Sequence, residues 1–347
     1  MLVTDLINVR YLSGFTGSNA ALLVFADDRD PVLATDGRYR TQAAEQAPDL
    51  DVAIERATGR YLAGRAAASG ARRLGFESHV VTVDGLDALA AAVEDAGGAE
   101  LVRAAHTVEA LREIKDAGEV ALLRLACEAA DAALTDLVAR GGLRPGRTER
   151  DVGRELEALM LDHGADGNSF ETIVATGANS AIPHHRPTDA VLASGDFVKI
   201  DFGALVGGYH SDMTRTFVLG KAADWQVEIY DLVSAAQRAG RHALQAGACL
   251  ADVDAAARDV IVDAGHGEHF GHGLGHGVGL QIHEAPGIGS TATGMLLAGS
   301  VVTVEPGVYL PDRGGVRIED TLVVADETSG HAPELLTRFP KELAILD

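Results

Sequence analysis

The stretch from Asp196 to Arg215, DFVKIDFGALVGGYHSDMTR, constrains the fold of this chain more than any other segment. Its strand-like sequence is interrupted by Gly207-Gly208, and a two-residue glycine loop favours a tight hairpin because glycine adopts positive φ without steric cost. If these glycines form the turn, the ladder sets Asp201 opposite Thr214. The segment therefore predicts a β-hairpin whose register is fixed at its tip.

The same hairpin carries two aspartates, Asp201 and Asp212, on one face. Their diagonal separation in such a ladder is roughly 7–8 Å. Two half-buried carboxylates repel each other and are costly to remove from water. A pair of divalent metal ions bridged by aspartate oxygens relieves both costs. For this pair alone, the alternative that both aspartates are exposed turn residues stays open. A metal site therefore requires further ligands elsewhere in the chain.

A second acidic pair lies in the C-terminal stretch VVTVEPGVYLPDRGGVRIEDTLVV. Glu305 and Glu319 are equally distant from a turn centred on Asp312, which predicts that they face each other on one side of a hairpin. Facing carboxylates destabilise a bare hairpin, so this pair also requires a positive centre. The stretch GHGLGHGVG offers His276 as a further ligand, although a histidine in a glycine loop is more often a turn residue. Together these residues predict a site for divalent ions.

Composition limits the class of protein. With 347 residues the chain is long enough for two domains, and its 47% hydrophobic content includes no apolar run of membrane-spanning length. The formal net charge of −22 argues against nucleic acid or an anionic membrane as a partner, because both require basic patches. Two cysteines without metal-type spacing, and an N-terminus without a secretory signal, favour a reducing, cytoplasmic location.

The order of patterns along the chain predicts two domains. Short apolar runs alternate with helical patterns over residues 1–106, which predicts an α/β domain that opens on the strand-like stretch LVTDLINVRYLSGFTGS. A polar stretch at residues 107–115 marks the boundary, and helical periodicity runs from Glu109 to Arg140. Residues 107–347 follow the order helix, helix, hairpin, helix, helix, hairpin, which indicates two weakly related ααββ halves.

Several motifs of the second domain follow one another along the chain: PHH at Pro183–His185, DFGALVGGYHSDMTRT, GHGLGHGVGLQIHEAP, EPGVY and GGVRIED. They resemble the pita-bread metallopeptidases and, within that family, aminopeptidase P and prolidase, the Xaa-Pro peptidases. YLSGFTGSNAALLV and ATDGRY resemble the family's creatinase-like N-terminal domain. The resemblance implies an α/β (α+β) fold with a creatinase-like N-terminal domain and a catalytic domain built on a curved, mostly antiparallel sheet with pseudo-twofold halves. That N-terminal domain normally begins with a helix, so we expect this chain to lack its first helix.

The resemblance also implies roles for individual residues. The ligands of a dinuclear metal centre are matched by Asp201, Asp212, His276, Glu305 and Glu319. Glu305 also matches the general base, and His184, His283 and Arg317 match further catalytic positions. Substrate-binding positions are matched by His184, His272, His283, Tyr309 and Arg317. The implied cofactors are two divalent metal ions, manganese first, with cobalt or zinc as alternatives.

The implied function is a metal-dependent exopeptidase that cleaves the bond between an N-terminal residue and proline in dipeptides or short peptides. The sequence does not separate a dipeptidase from an aminopeptidase, because loops at the far side of the pocket decide substrate length. A metal-free creatinase-like hydrolase and a non-catalytic peptide-binding pseudo-peptidase are alternatives, but both lack part of the ligand set. A methionine aminopeptidase shares the ligands and generally lacks the N-terminal domain. The resemblance also leads us to expect a homodimer.

Overall fold

The N-terminal elements alternate between short strands and helices, as their sequence predicts. The computed structural model describes residues 1–326 and 332–347. Its first elements are β1 (Leu2–Val3), α1 (Leu6–Ser13), β2 (Ala20–Leu23), β3 (Val32–Thr35), α2 (Arg40–Gln46), β4 (Asp51–Ile54), α3 (Thr58–Ala68), β5 (Arg73–Phe76), α4 (Val83–Asp95), β6 (Glu100–Arg103) and α5 (Glu109–Arg112).

The strands of this first unit, Met1–Arg112, form a six-stranded mixed sheet in the order β4-β3-β2-β1-β5-β6. β2 is antiparallel to both β1 and β3, whereas β3–β4, β1–β5 and β5–β6 are parallel pairs. Apolar side chains of α3 and α4, among them Leu62 and Leu89, are buried in one core with the sheet. Because neighbouring parallel strands end at the same edge of a sheet, the loops that follow β5 and β6 lie side by side.

The opening stretch differs from its strand-like prediction. Only Leu2–Val3 is a strand, and α1 follows it closely. Asp5 begins this helix because its carboxylate accepts hydrogen bonds from the backbone N–H groups of Ile7 and Asn8, at 2.7 and 3.1 Å. Gly14 ends the helix in the left-handed conformation, with φ of 75°. These local caps outweigh the apolar pattern.

The second unit, Glu113–Asp347, follows the predicted order of helix pairs and hairpins. Its elements are α6 (Ala117–Ala139), α7 (Glu149–Asp162), β7 (Gly167–Asn168), β8 (Ile173–Thr176), β9 (Phe197–Phe202), β10 (Ala204–Val206), β11 (Tyr209–His210), β12 (Met213–Leu219), α8 (Asp224–Ala243), α9 (Leu250–Asp263), β13 (Gly275–Gly277), β14 (Glu284–Ile288), β15 (Val301–Val304), β16 (Gly307–Leu310), β17 (Gly314–Arg317), β18 (Asp320–Val323), β19 (Glu334–Leu335) and β20 (Ile345–Leu346).

The helical periodicity predicted from Glu109 to Arg140 is interrupted between α5 and α6. Ile114 forms an isolated antiparallel bridge with Ser300 in this gap. Asp116 then begins α6 with a capping box, in which its side chain and that of Glu119 bond each other's backbone N–H groups. The stretch predicted as one helix is therefore two helices. Apolar periodicity alone does not show where a capping residue begins a new helix.

The central hairpin has the register that the glycine turn predicts. β9 and β12 are antiparallel, with Asp201 opposite Thr214. Gly207 and Gly208 have φ of 54° and 82°, and a type I′ turn requires positive φ at both central positions. Gly203 allows the strands to approach closely, because a Cβ there would lie 1.9 Å from the Ser211 carbonyl oxygen.

The C-terminal hairpin also has the predicted register. β15 pairs with β18, and β16 pairs with β17, in one common register centred on Asp312, which has φ of 60°. The pairing is interrupted at Glu305 and Glu319, which lie opposite each other in this register without belonging to either ladder. The interruption leaves both carboxylates at the gap between two ladders.

Each helix pair of the second unit covers its own apolar core. α6 and α7 are buried with β9 and β12, and the core includes Val198 and Ile200. α8 and α9 are buried in a second core with β15 to β18. Because side chains alternate along a strand, Lys199 and Asp201 point away from the core that holds Val198 and Ile200. No helix within the described residues is both long and apolar enough to cross a membrane.

Candidate metal centre and substrate cleft

The predicted metal ligands come from separate elements of the second unit and line one cavity of about 240 Å³. In chain order they are Asp201, Asp212, His276, Glu305 and Glu319. Asp201 lies in β9, and Asp212 directly precedes β12. His276 lies in β13, and Glu305 and Glu319 lie in the gap between the two C-terminal ladders. Residues distant in sequence are thus brought together by two hairpins with fixed registers.

His276 presents one ring nitrogen to the carboxylates. Its Nε2 lies 3.6 Å from Asp212 Oδ2 and 3.4 Å from Glu305 Oε1. Its Nδ1 lies 3.1 Å from the Gly277 carbonyl oxygen, which can only accept a hydrogen bond, so the proton is on Nδ1. Burial lowers the pKa of His276 to about 4, which keeps the imidazole neutral and the Nε2 lone pair available. Ligand atoms of Asp212, His276 and Glu319 all lie within 4.8 Å of one another.

The acidic groups of this site are buried together, and their burial is electrostatically costly. Desolvation raises the pKa of Glu305 to about 7. Desolvation, followed by repulsion from neighbouring carboxylates, raises the pKa of Asp212 and of Glu319 well above the usual range. Within the described part of the chain, Asp201 Oδ1 is buried without a hydrogen-bond partner. Four carboxylates, one of which has an unpartnered oxygen, and one neutral imidazole form a donor set that fits divalent cations.

Arg317 is a buried cation beside these carboxylates. Its guanidinium donates to Asp201 Oδ2, to Thr214 Oγ1 at 3.0 Å and to the Tyr309 hydroxyl at 2.8 Å. Thr214 Oγ1 in turn donates to Glu319 Oε2 at 2.6 Å. Arg317 therefore orients carboxylates on both hairpins, and these bonds use much of its donor capacity.

A chain of hydrogen bonds links Arg317 to His272. His272 Nδ1 lies 2.8 Å from the Gly273 carbonyl oxygen, so that nitrogen carries the proton. The Tyr309 hydroxyl accepts from Arg317 and donates to His272 Nε2, at 2.9 Å. Burial lowers the pKa of His272 to about 4 and raises the pKa of Tyr309 to about 12. Both side chains are therefore neutral and fixed in orientation near neutral pH.

His184 and His283 complete the predicted set of site residues. Both line the cavity of about 240 Å³ and an adjoining cavity of about 610 Å³, which also contacts His272 and Tyr309. The rings of His283 and His276 lie edge to face, with centroids 4.5 Å apart. The two cavities share the lining residues His184, His276, His283, Glu305 and Arg317, so they form one continuous cleft.

The sequence interpretation missed Lys199. This lysine is buried on the face of β9 that carries Asp201, and its Nζ donates to the carbonyl oxygens of Ile182 and Pro183, at 2.7 and 3.3 Å. Burial lowers the pKa of Lys199 well below its usual range. Lys199 therefore fixes the backbone that precedes His184. Its position two residues before Asp201 in an apolar strand was the available signal.

Comparison with known proteins shows which family the chain matches. Residues 121–326 match metallopeptidase family M24, and residues 1–114 match the creatinase/prolidase N-terminal domain. The chain is 41% identical over 236 residues to the Xaa-Pro dipeptidase of Pyrococcus furiosus, a match that covers 68% of this chain and 66% of that protein.

Solved structures are similar over almost the whole chain. The Xaa-Pro dipeptidase from Bacillus anthracis has a TM-score of 0.92 at 40% identity, covering 99% of this chain and 94% of that one. The X-Pro aminopeptidase from Thermotoga maritima has a TM-score of 0.90 at 32% identity, covering 99% and 97%. These similarities confirm the predicted fold class. The chain belongs to metallopeptidase family M24, in its prolidase branch with a creatinase-type N-terminal domain.

Proposed function

We propose that this protein is a dinuclear metallo-exopeptidase that hydrolyses the bond between an N-terminal residue and proline. The observation that carries the proposal is the buried set of four carboxylates and one neutral imidazole, with an unpartnered oxygen on Asp201. Without cations this arrangement is costly, and a buried cluster of this kind is expected where divalent ions bind. The relatives named as Xaa-Pro dipeptidase and X-Pro aminopeptidase support the substrate class.

The proposed ion-holding residues are Asp201, Asp212, His276, Glu305 and Glu319, with manganese as the first choice of metal. When bound, two such ions would acidify a water molecule and stabilise the negative charge that develops on the scissile carbonyl. Glu305 accepts the proton of the attacking water and delivers it to the proline nitrogen, which leaves as a secondary amine. His184 and His283 donate hydrogen bonds to the carbonyl oxygen as its charge develops.

Substrate length distinguishes the two forms of the proposed activity. Metal-loaded protein should be given an Xaa-Pro dipeptide, an Xaa-Pro-Xaa tripeptide and a methionyl peptide without proline. The proposal predicts cleavage before proline in at least one of the first two, and the faster of them identifies a dipeptidase or an aminopeptidase. Cleavage of the methionyl peptide alone would instead identify a methionine aminopeptidase. No cleavage by protein with bound metal would contradict the proposed activity.

Replacement of His283 by alanine should separate substrate activation from metal binding. We expect His283→Ala to lower kcat about 100-fold, as is typical when one donor to a developing oxyanion is removed. Bound metal should stay near the wild-type amount, because His283 is proposed to contact substrate only. The matched control is His242→Ala, since His242 is an exposed residue of α8. A large loss of metal from the His283 variant would make this residue a ligand and would contradict its proposed role.

A further inference from the structure

A second group of metal-ligating side chains lies in the N-terminal unit, outside the cleft described above. It consists of His79, His106 and Glu109, whose ligand atoms all lie within 4.8 Å of one another. The topology explains the meeting of the histidines. β5 and β6 are parallel, with Phe76 paired to Arg103, and each histidine follows its strand by three residues. Both loops therefore leave the same edge of the sheet.

The side chains of this group are closely arranged. His79 Nε2 lies 2.8 Å from Glu109 Oε1, and the centroids of the His79 and His106 rings are 4.1 Å apart. His106 has φ of 54°, a conformation that residues other than glycine adopt only where the surroundings support it. Its carbonyl oxygen accepts the backbone N–H of Ala110, at 3.1 Å. The first turn of α5 thus fixes the backbone that carries two of the three side chains.

A hydrogen-bond network of buried side chains holds the carboxylate of Glu109 in position. Its Oε1 accepts from Asn8 Nδ2 at 2.8 Å, and the same amide donates to Glu77 Oε1 at 2.7 Å. Asn8 Oδ1 accepts from Arg112 at 2.8 Å, so the amide cannot turn without losing these partners. Asn8, Glu77 and Arg112 are all buried. The network thereby fixes Glu109 in one orientation.

The second oxygen of Glu109 has no such partner. Among the described residues, Glu109 Oε2 is buried without a hydrogen bond. An unsatisfied buried carboxylate oxygen is costly, and each such atom in a folded protein requires a physical reason. A simple His79–Glu109 hydrogen bond accounts for Oε1 alone. It accounts neither for Oε2 nor for the second imidazole held against the first.

We propose that His79, His106 and Glu109 bind one divalent transition-metal ion, zinc first, at a site separate from the peptidase centre. Two imidazoles and one carboxylate are a ligand set that suits zinc and copper, whereas magnesium, calcium and manganese prefer oxygen ligands. The side chains of His79 and Glu109 are 20% and 22% exposed, so solvent reaches the site and can fill the remaining coordination position.

Zinc binding to full-length, chelator-stripped protein tests this site. Zinc bound per chain is measured by equilibrium dialysis in wild type and in the variants His106→Gln and Glu109→Gln. Since the peptidase centre is unchanged in each variant, the difference from wild type isolates the proposed site. We expect each variant to lose one zinc per chain, or to bind it at least about tenfold more weakly. X-ray absorption at the zinc edge should lose a nitrogen contribution at about 2.0–2.1 Å in His106→Gln.

A matched control distinguishes a three-ligand site from an ordinary histidine–carboxylate pair. His163 Nε2 lies 3.1 Å from Asp136 Oδ2, at an exposed position that belongs to no three-ligand group among the described residues. His163→Gln should therefore keep the wild-type zinc content. Peptidase activity should be unchanged in all variants, which also shows that they fold. Equal zinc content in wild type, His106→Gln and Glu109→Gln would overturn the proposal, as would an equal loss in His163→Gln.

Discussion

Asp212→Asn should lower the turnover of an Xaa-Pro substrate by about 10³-fold or more and reduce the bound metal. The change keeps the size of the side chain but removes the negative charge from an oxygen that lies 3.6 Å from His276 Nε2. Metal-assisted stabilisation of a transition state is worth several kcal/mol, and about 4 kcal/mol corresponds to about 10³-fold in rate. Steady-state kinetics and metal analysis of the purified variant measure both effects.

Metal-free stability separates this effect from misfolding. Asp212 is buried beside other carboxylates, so its replacement by a neutral amide removes a repulsive charge. The stripped variant should be at least as stable to heat as stripped wild type. The control is Asp312→Asn at the exposed turn with φ of 60°, where asparagine is also tolerated, and it should keep full activity. Near-wild-type turnover by Asp212→Asn would contradict the assignment of Asp212 as a ligand.

Addition of metal should raise the melting temperature more at pH 8 than at pH 5. In the metal-free protein the pKa of Glu305 is raised from 4.5 to about 7, and the pKa values of Asp212 and Glu319 are raised well above their usual range. A group with a raised folded-state pKa stabilises the fold fully below its unfolded pKa, and this contribution is lost as pH rises through the folded pKa. For Glu305 the loss is on the order of 3 kcal/mol.

Bound cations should prevent this loss of stability at high pH. They favour the ionised carboxylates, so the loaded protein avoids the repulsion that accumulates in the stripped protein above about pH 5. Thermal scans of stripped and manganese-loaded protein at several pH values give the difference in melting temperature directly. The contributions of other titrating groups are similar in the two forms and largely cancel in that difference. We expect a difference of several degrees that widens from pH 5 to pH 8. A difference that is constant or narrows with pH would contradict the buried-carboxylate account.

The central part of the site follows from sequence because turn chemistry fixes it. Gly207 and Gly208 set the register of one hairpin, and the turn centred on Asp312 sets the register of the other. Glu305 and Glu319 face each other because they are equally distant from Asp312. A ladder has a period of two residues, so each register decides which side chains share a face. Short-range rules therefore place the two members of each acidic pair within their own hairpin, whereas the meeting of the two hairpins at one site is implied by the resemblance to the family.

Other features were missed for two different reasons. The strand-like opening becomes α1 because Asp5 caps it, and the periodic stretch from Glu109 is divided because Asp116 begins a new helix; both are local caps that the apolar pattern does not show. The remaining features depend on tertiary contacts. Lys199 reads as one polar residue in an apolar strand, and its contact with the Ile182 carbonyl appears only in the fold. The meeting of His79 and His106 likewise depends on the parallel pairing of β5 and β6. No local pattern encodes these contacts.

The central claim is that a two-metal centre drives hydrolysis before proline, and a manganese titration of chelator-stripped protein tests it most directly. The initial rate of Xaa-Pro hydrolysis is measured as manganese is added, with bound metal quantified in the same samples. The account predicts negligible hydrolysis without metal and a rate that reaches its maximum when the second ion per chain is bound in the cleft. Full hydrolysis by metal-free protein, or both ions bound in the cleft without hydrolysis, would contradict it.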